Sequence, residues 1–282
     1  MRVVRARGIG FCYGVRRAIE LATRRARSGP IRSLGPLIHN RQEVARLESL
    51  GIRVADSLEA CAGETLLIRS HGALASDIDR ARALGITLVD ATCPHVERCK
   101  EIVLSLQAEG RKVLLHGDRS HPEVRAILSH ARGEIEVIRG PEDLEDLPTG
   151  SRLGLVAQTT QDQNAFADLA QMVRRRCPDA VVRDTICQDA ARRQQEAARL
   201  AAEVDWVIVI GGRESANTSR LTQICRRHQP RTVQIEQAGE LSLDALSGIG
   251  SVGLISGAST PAWVIDRVEE RLLAFASSRA ES

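Results

Sequence analysis

Aromatic side chains are almost missing from this chain: three Phe, two Trp and one Tyr among 282 residues. Six rings leave almost nothing to stack on bases, which makes nucleic-acid binding the minor reading despite abundant arginine. Lysine is nearly absent too. Lys100 and Lys112 are the only two, so the positive side of a formal net charge of +3 is almost entirely guanidinium. Runs such as Arg174, Arg175 and Arg176, or Arg24 and Arg25, fall in segments of helical periodicity with acids nearby and read as solvated faces. No apolar run approaches the roughly 18 residues of a membrane span. The chain enters on a strand-like MRVVRA, unlike the charged, apolar, small-residue order of a signal sequence. No Lys follows a glycine loop as in a Walker motif, and no GxGxxG is present. What these absences leave is a soluble, cytoplasmic protein without a membrane or nucleic-acid partner, whose 43% apolar content can bury a substantial core.

Cysteine is where the sequence is informative. Seven, an odd number, in a chain without a signal sequence argue for reduced thiols, so metal binding or catalysis outranks a disulfide framework. Cys61, Cys99, Cys177 and Cys225 have no partner motif and read as small buried apolar residues. Cys12, Cys93 and Cys187 differ: each sits at a strand-turn-helix junction, in GFCYGV, DATCPHV and DTICQDA, 81 and 94 residues apart. Three converging thiols suggest a metal site with one position open. An iron-sulfur cluster held this way keeps one iron for substrate, whereas a fourth protein ligand favours structural or electron-transfer use.

Short β-branched or leucine-rich runs (TLLIRS, ITLVDA, KVLLHGD, IEVIRG, LGLVAQ, VDWVIVIGG, TVQIE and SVGLIS) alternate with segments of three-and-four apolar spacing, such as Ala18, Ile19 and Ala22. That alternation predicts βαβ units and a mostly parallel, α/β architecture. The cysteine junctions divide the chain into comparable blocks, 13–93, 94–187 and 188–282, the last completed by 1–12. Asp90 and Asp184 stand three residues before their thiols as the clearest echo between blocks. The expectation is three small α/β domains whose cysteine-bearing ends meet at a centre, beyond the carboxyl ends of the strands.

Polar groups also follow strands directly. His39, His71 and His121 each lie at the end of a predicted strand beside Gly, Pro or Asn. His121 precedes Pro122, which suits the first helical position, so Glu123 falls in a first helical turn. Ser215, Asn217 and Thr218, and Ser259 and Thr260 before Pro261, read as helix starts, either simple N-caps or donors for an anion such as phosphate. Gln158, Thr159 and Thr160 form an ordinary turn that gains interest beside a carboxyl group able to donate a proton. Zinc is the alternative for the histidines, but three cysteines plus three histidines exceed one tetrahedral ion.

In this order GFCYGVRRAI, LIHN, RSHG, DATCP, HPEV, QTT, the IC followed by Arg193 and Gln194, the SANT turn and GAST with Pro261 resemble the LytB/IspH family of 4-hydroxy-3-methylbut-2-enyl diphosphate reductases, almost end to end. The resemblance implies a trefoil of three α/β domains around a [4Fe-4S] cluster with Cys12, Cys93 and Cys187 as its ligands. It implies removal of an allylic hydroxyl as water, giving isopentenyl and dimethylallyl diphosphates, with electrons from a low-potential donor such as ferredoxin or flavodoxin. It makes Glu123 the proton relay, assisted by Thr159 and His121, and assigns the diphosphate to His39, His71, His121, Ser215, Asn217 and Ser259. The protein would act as a monomer or homodimer. Departures cluster near the anion residues: Asp189 and Ala190 stand where the family usually reads Ala and Thr, Glu214 replaces an Asn, and Ala216 a serine. The two added acids weaken a diphosphate site unless they point outward or pair with Arg192, Arg193 or Arg213. They motivate a competing expectation, a relative with another hydroxylated substrate. The three thiols alone also allow a non-catalytic redox or iron sensor.

Overall fold

A computed structural model describes residues 1–145 and 152–278; six residues of the expected block 94–187 and the last four of 188–282 lie outside them. The chain forms two compact units, one of residues 1–15, 38–45 and 188–282, the other of residues 16–37 and 46–187. In the first, β1 (Arg2–Arg5) lies beside β12 (Ser251–Ser256), followed by β10 (Trp206–Ile210) and β11 (Thr232–Ile235). The second unit holds two sheets. One has the order β3 (Ile52–Ala55), β2 (Ile31–Leu34), β4 (Thr65–Ile68), β5 (Thr87–Asp90); the other runs β7 (Ile135–Ile138), β6 (Lys112–His116), β8 (Leu153–Ala157), β9 (Val181–Val182). Every pairing among the described residues is parallel, from Arg2 opposite Ser251 to Leu155 opposite Val182.

The three sheets share one winding. In each, the second strand lies outside the first, the third on its other side and the fourth beyond that; the C-terminal sheet takes its fourth strand from β1. Parallel neighbours need a crossover, and the helices supply it at matching places. First and second strands are joined through α2 (Arg41–Ser49), α5 (Pro122–His130) and α8 (Ala216–His228), third and fourth through α3 (Ala75–Ala83) and α6 (Gln163–Arg176). After each fourth strand comes a longer helix: α1 (Tyr13–Ala26), α4 (Pro94–Ala108) or α7 (Gln188–Glu203). The ninth, α9 (Ala262–Ser278), follows β12.

Central strands are buried on both faces, which is why they read as unbroken apolar runs: Val113, Leu114 and Leu115, or Val207 through Ile210, are fully enclosed. Helices press close to them where the strand lacks a side chain. A Cβ on Gly154 would stand 2.9 Å from Leu106 of α4, and one on Gly253 the same distance from Leu200 of α7. Cys61, Cys99, Cys177 and Cys225 are buried, while the arginines ending α6 are exposed. The start of α6 is fixed by Asp162, a buried N-cap whose Oδ1 accepts from the Asn164 and Ala165 amides at 3.0 and 3.1 Å. Asp162→Ala is expected to lower unfolding free energy by about 1 kcal/mol, up to ~2, read as a shift in the urea midpoint at unchanged slope.

Candidate active site

Parallel strands that all point one way deliver their following loops to one end of the sheet, and each candidate residue lies in such a loop or in the first turn of the helix after it. Cysteines follow the fourth strands: Cys12 after β1, Cys93 after β5, Cys187 after β9. Their backbone is fixed in the same manner three times. The Cys12 amide donates to the Ala258 carbonyl at 3.0 Å, that of Cys93 to Ser70 at 2.9 Å and that of Cys187 to Thr159 at 2.9 Å, each acceptor two residues past a third strand. Asp90 and Asp184 prepare two of these turns, since their Oδ1 atoms accept from the Thr92 and Ile186 amides at 2.7 and 2.9 Å. All three thiols are free of disulfides, partly exposed, and placed just ahead of a helix. The Val15 amide points at the Cys12 sulfur, 3.4 Å away. By contrast, burial pushes the Cys99 and Cys225 thiols up to about 12, with the Glu123 charge adding to the effect at Cys99. The thiols left accessible to a soft metal are therefore those at the loops, not the buried ones.

Loops after the first strands carry another group. His121 is the N-cap of α5: its Nδ1 accepts from the Glu123 amide at 3.2 Å, and Pro122 takes the first helical position, as the sequence suggests. Its ring meets that of His71 edge-on, with centroids 5.4 Å apart. The Glu123 side chain is buried and both its oxygens engage one residue. Oε1 accepts from the Thr159 amide at 2.7 Å and Oε2 from the Thr159 hydroxyl at 2.8 Å. Burial raises Glu123 to about 7 even though these two bonds pull the other way. Thr159 thus holds the carboxyl group through its amide and hydroxyl and the Cys187 amide through its carbonyl. Gln158 stiffens this turn, accepting from the Asp118 amide and donating to the Thr160 hydroxyl at 3.1 Å.

In the other unit Ser215 caps α8, accepting from the Thr218 amide at 3.3 Å. The Asn217 Nδ2 and Thr218 Oγ1 atoms are buried without a hydrogen-bond partner among the described residues. Such atoms carry a desolvation cost of about 1–3 kcal/mol each until something fills their bonds. Space there is made by glycine: a Cβ on Gly257 would reach within 2.0 Å of the Thr218 hydroxyl, and Gly211, at φ 152°, is equally hemmed in by Thr218 and Thr260. Ser259 donates to the His39 carbonyl at 3.2 Å, tying the GAST turn to the segment that carries His39. Gly212 permits that segment to approach, since a Cβ would stand 2.5 Å from the same carbonyl.

The two acids that depart from the family pattern are both neutralised. Asp189 meets Arg193 at 2.7 Å one turn along α7, and the buried Arg193 also reaches toward the Ser256 carbonyl. Glu214 meets Arg41 at 3.1 Å on an exposed surface; Arg213, one of its expected partners, is taken by Glu240 at 2.6 Å. Sequence reasoning missed two contributors. Asn40 caps α2 by accepting from the Glu43 amide at 2.9 Å, a role readable in the Asn-x-x-Glu spacing of residues 40–43. Thr185 braces the end of β8 by accepting from the Ala157 amide and donating to its carbonyl, and no local signal marks it.

Residues 3–273 match the family model described as LytB protein. A 4-hydroxy-3-methylbut-2-enyl diphosphate reductase of a Geobacter species is 44% identical over 277 residues, covering 98% of each chain. A solved structure of (E)-4-hydroxy-3-methylbut-2-enyl diphosphate reductase, the terminal enzyme of the non-mevalonate pathway, is 38% identical, covers 97% of this chain and 100% of its own, and superposes with a TM-score of 0.71. The corresponding reductase structure from Plasmodium falciparum shares the fold at a TM-score of 0.91 over 95% of this chain and 87% of its own, at 24% identity.

Proposed function

The chain belongs to the LytB protein family, and from that membership together with the site we propose that it is a 4-hydroxy-3-methylbut-2-enyl diphosphate reductase. The observation that carries this reading is the Glu123–Thr159 pair: a buried carboxyl group held near pH 7 in its titration and hydrogen-bonded through a hydroxyl, on the loop that also fixes the Cys187 backbone. Removing an allylic hydroxyl as water needs a proton at that oxygen. Glu123 in its protonated form can pass one to Thr159 Oγ1, whose own proton then goes to the substrate hydroxyl. His121 stands beside this pair, its Nδ1 accepting from the Glu123 amide.

Cys12, Cys93 and Cys187 are the thiols we assign to a [4Fe-4S] cluster, supported by their partial exposure, their helix-start positions and their common backbone anchoring. When bound, that group supplies the electrons and a Lewis-acidic iron for carbon–oxygen cleavage. The diphosphate is assigned to His39, His71, His121, Ser215, Asn217 and Ser259. The unfilled Nδ2 of Asn217 and hydroxyl of Thr218, beside a capped helix start, support an anionic ligand there. A low-potential carrier such as ferredoxin or flavodoxin would deliver the electrons, and a cytoplasmic setting suits both the reduced thiols and the carrier.

Purified without oxygen and with iron and sulfide counted, the protein is expected to convert the hydroxylated diphosphate to a mixture of isopentenyl and dimethylallyl diphosphates under a low-potential donor. An iron-replete sample that leaves the substrate unchanged overturns the assignment. Because Glu214 already has an exposed partner in Arg41, Glu214→Gln is expected to change the KM for the diphosphate by less than about fivefold. A much larger drop in KM would mean the acid opposes the ligand directly and would favour a different natural substrate.

A further inference from the structure

Within the unit of residues 16–37 and 46–187, a cavity of about 330 Å³ opens where the carboxyl end of the β3-β2-β4-β5 sheet meets α3 and α5. None of the cysteines, histidines, Glu123 or Thr159 lines it. Its size falls at the lower end of small-ligand pockets, roughly 300–1,000 Å³. The wall is largely apolar, with Leu34, Ile68, Leu74, Ile78 and Ala126, and two arginines face into it, Arg69 directly after β4 and Arg125 on α5.

Two other arginines of this region have carboxylate partners: Arg32 pairs with Glu64 at 2.5 Å and Arg80 with Glu59 at 3.1 Å. Neither Arg69 nor Arg125 forms an ion pair or side-chain hydrogen bond among the described residues, although Arg69 is half-buried and Arg125 exposed. Asp56 and Asp77 also border the cavity. Asp56 lies in the field of Arg32, and Asp77 sits in the first turn of α3, where the helix end favours a carboxylate. Arg69 is pulled below its ordinary value first by burial and then by the like charge of Arg125, which outweighs the relief from Asp77. Two guanidiniums without ion-pair partners thus share an apolar-walled space whose lining also carries Asp56 and Asp77. An anion between them would give both forks the bidentate partner their geometry suits.

We propose that this cavity binds a small organic anion with a phosphate or carboxylate head and a short hydrocarbon tail, the head between Arg69 and Arg125 and the tail along Leu34, Ile68 and Ala126.

Calorimetric titration of the anaerobically purified full chain with hexyl phosphate, hexanoate and inorganic phosphate tests this. Hexyl phosphate is expected to bind at least about tenfold more tightly than inorganic phosphate, because only the former buries a tail. Arg69→Gln and Arg125→Gln are each expected to weaken hexyl phosphate about tenfold or more. Asn217→Ala, which alters the anion residues of the other unit, is expected to leave that binding in place. Arg125 is exposed, so its variant tests the head contact without endangering the fold. Hexanoate matching hexyl phosphate identifies a carboxylate-tolerant head site; weaker hexanoate identifies a phosphate site, and either supports the proposal. Binding lost in Asn217→Ala but untouched in both arginine variants overturns it. So does inorganic phosphate binding as tightly as hexyl phosphate, or no heat from hexyl phosphate at millimolar concentration. Failure here leaves the reductase assignment standing, because neither arginine has a part in it.

Discussion

Glu123→Gln is expected to leave the protein folded with its iron in place while turnover falls about 10²–10⁴-fold, the usual loss for a positioned proton donor. Glutamine keeps the shape and can still accept from the Thr159 amide, so packing around this buried side chain changes little. What it cannot do is release a proton. The pH profile separates that role from a structural one. Burial holds Glu123 at about 7, so the native enzyme has its proton below that pH and loses it above, and kcat should fall as pH rises through about 7. The glutamine variant should retain its residual rate without that limb. The same shift couples to stability. Below about pH 4 the carboxyl group is neutral folded or unfolded. Between there and pH 7 the unfolded chain releases a proton that the native state keeps, so the stabilisation by the neutral buried form is lost as pH rises through 7, on the order of 3 kcal/mol. A glutamine variant whose turnover stays within about twofold of the parent would remove Glu123 from the proton path.

Cys12→Ser, Cys93→Ser and Cys187→Ser should each lose bound iron and activity together, by more than about 100-fold in turnover. A serine hydroxyl does not ionise near neutral pH, so each change removes a charged soft ligand and replaces it with a neutral hard one. The control lies in the same chain. Cys99→Ala and Cys225→Ala delete buried thiols whose ionisation is pushed up to about 12 and which have no ligand role, so their iron content should equal that of the parent. Iron counted by colorimetric chelation and the visible absorbance of anaerobic samples separate the two groups. Full iron in any of the three serine variants would break the ligand assignment.

Much of the fold is legible in order, because central parallel strands buried on both faces must be apolar throughout. KVLLH, LGLVA, WVIVI and SVGLIS announce themselves and form β6, β8, β10 and β12. β2, β3 and β9 do not. Ile-Arg-Ser-Leu in β2 alternates buried and half-buried positions over four residues, Ile-Arg-Val-Ala in β3 is equally short, and β9 is only two residues long. Their assignment comes from ladders with distant strands, a contact that no local window contains. Charge pairing is non-local in the same way. Asp189 with Arg193 is an i,i+4 pair and can be read from spacing, whereas Glu214 with Arg41 joins residues 173 apart and Arg213 goes to Glu240.

The sequence by itself determined the chemistry available: three thiols in repeated settings, one glutamate after His-Pro, and serine, threonine and asparagine at helix starts. These are local facts, set by side-chain type and by the few residues that make a turn or a cap. Only the tertiary structure decided how that chemistry is tuned. Burial of Glu123 raises its proton affinity to about 7, Thr159 takes both of its oxygens, and Asp189 and Glu214 find cationic partners. Burial and pairing are properties of what surrounds a group, and those surroundings are assembled from residues far apart in the chain.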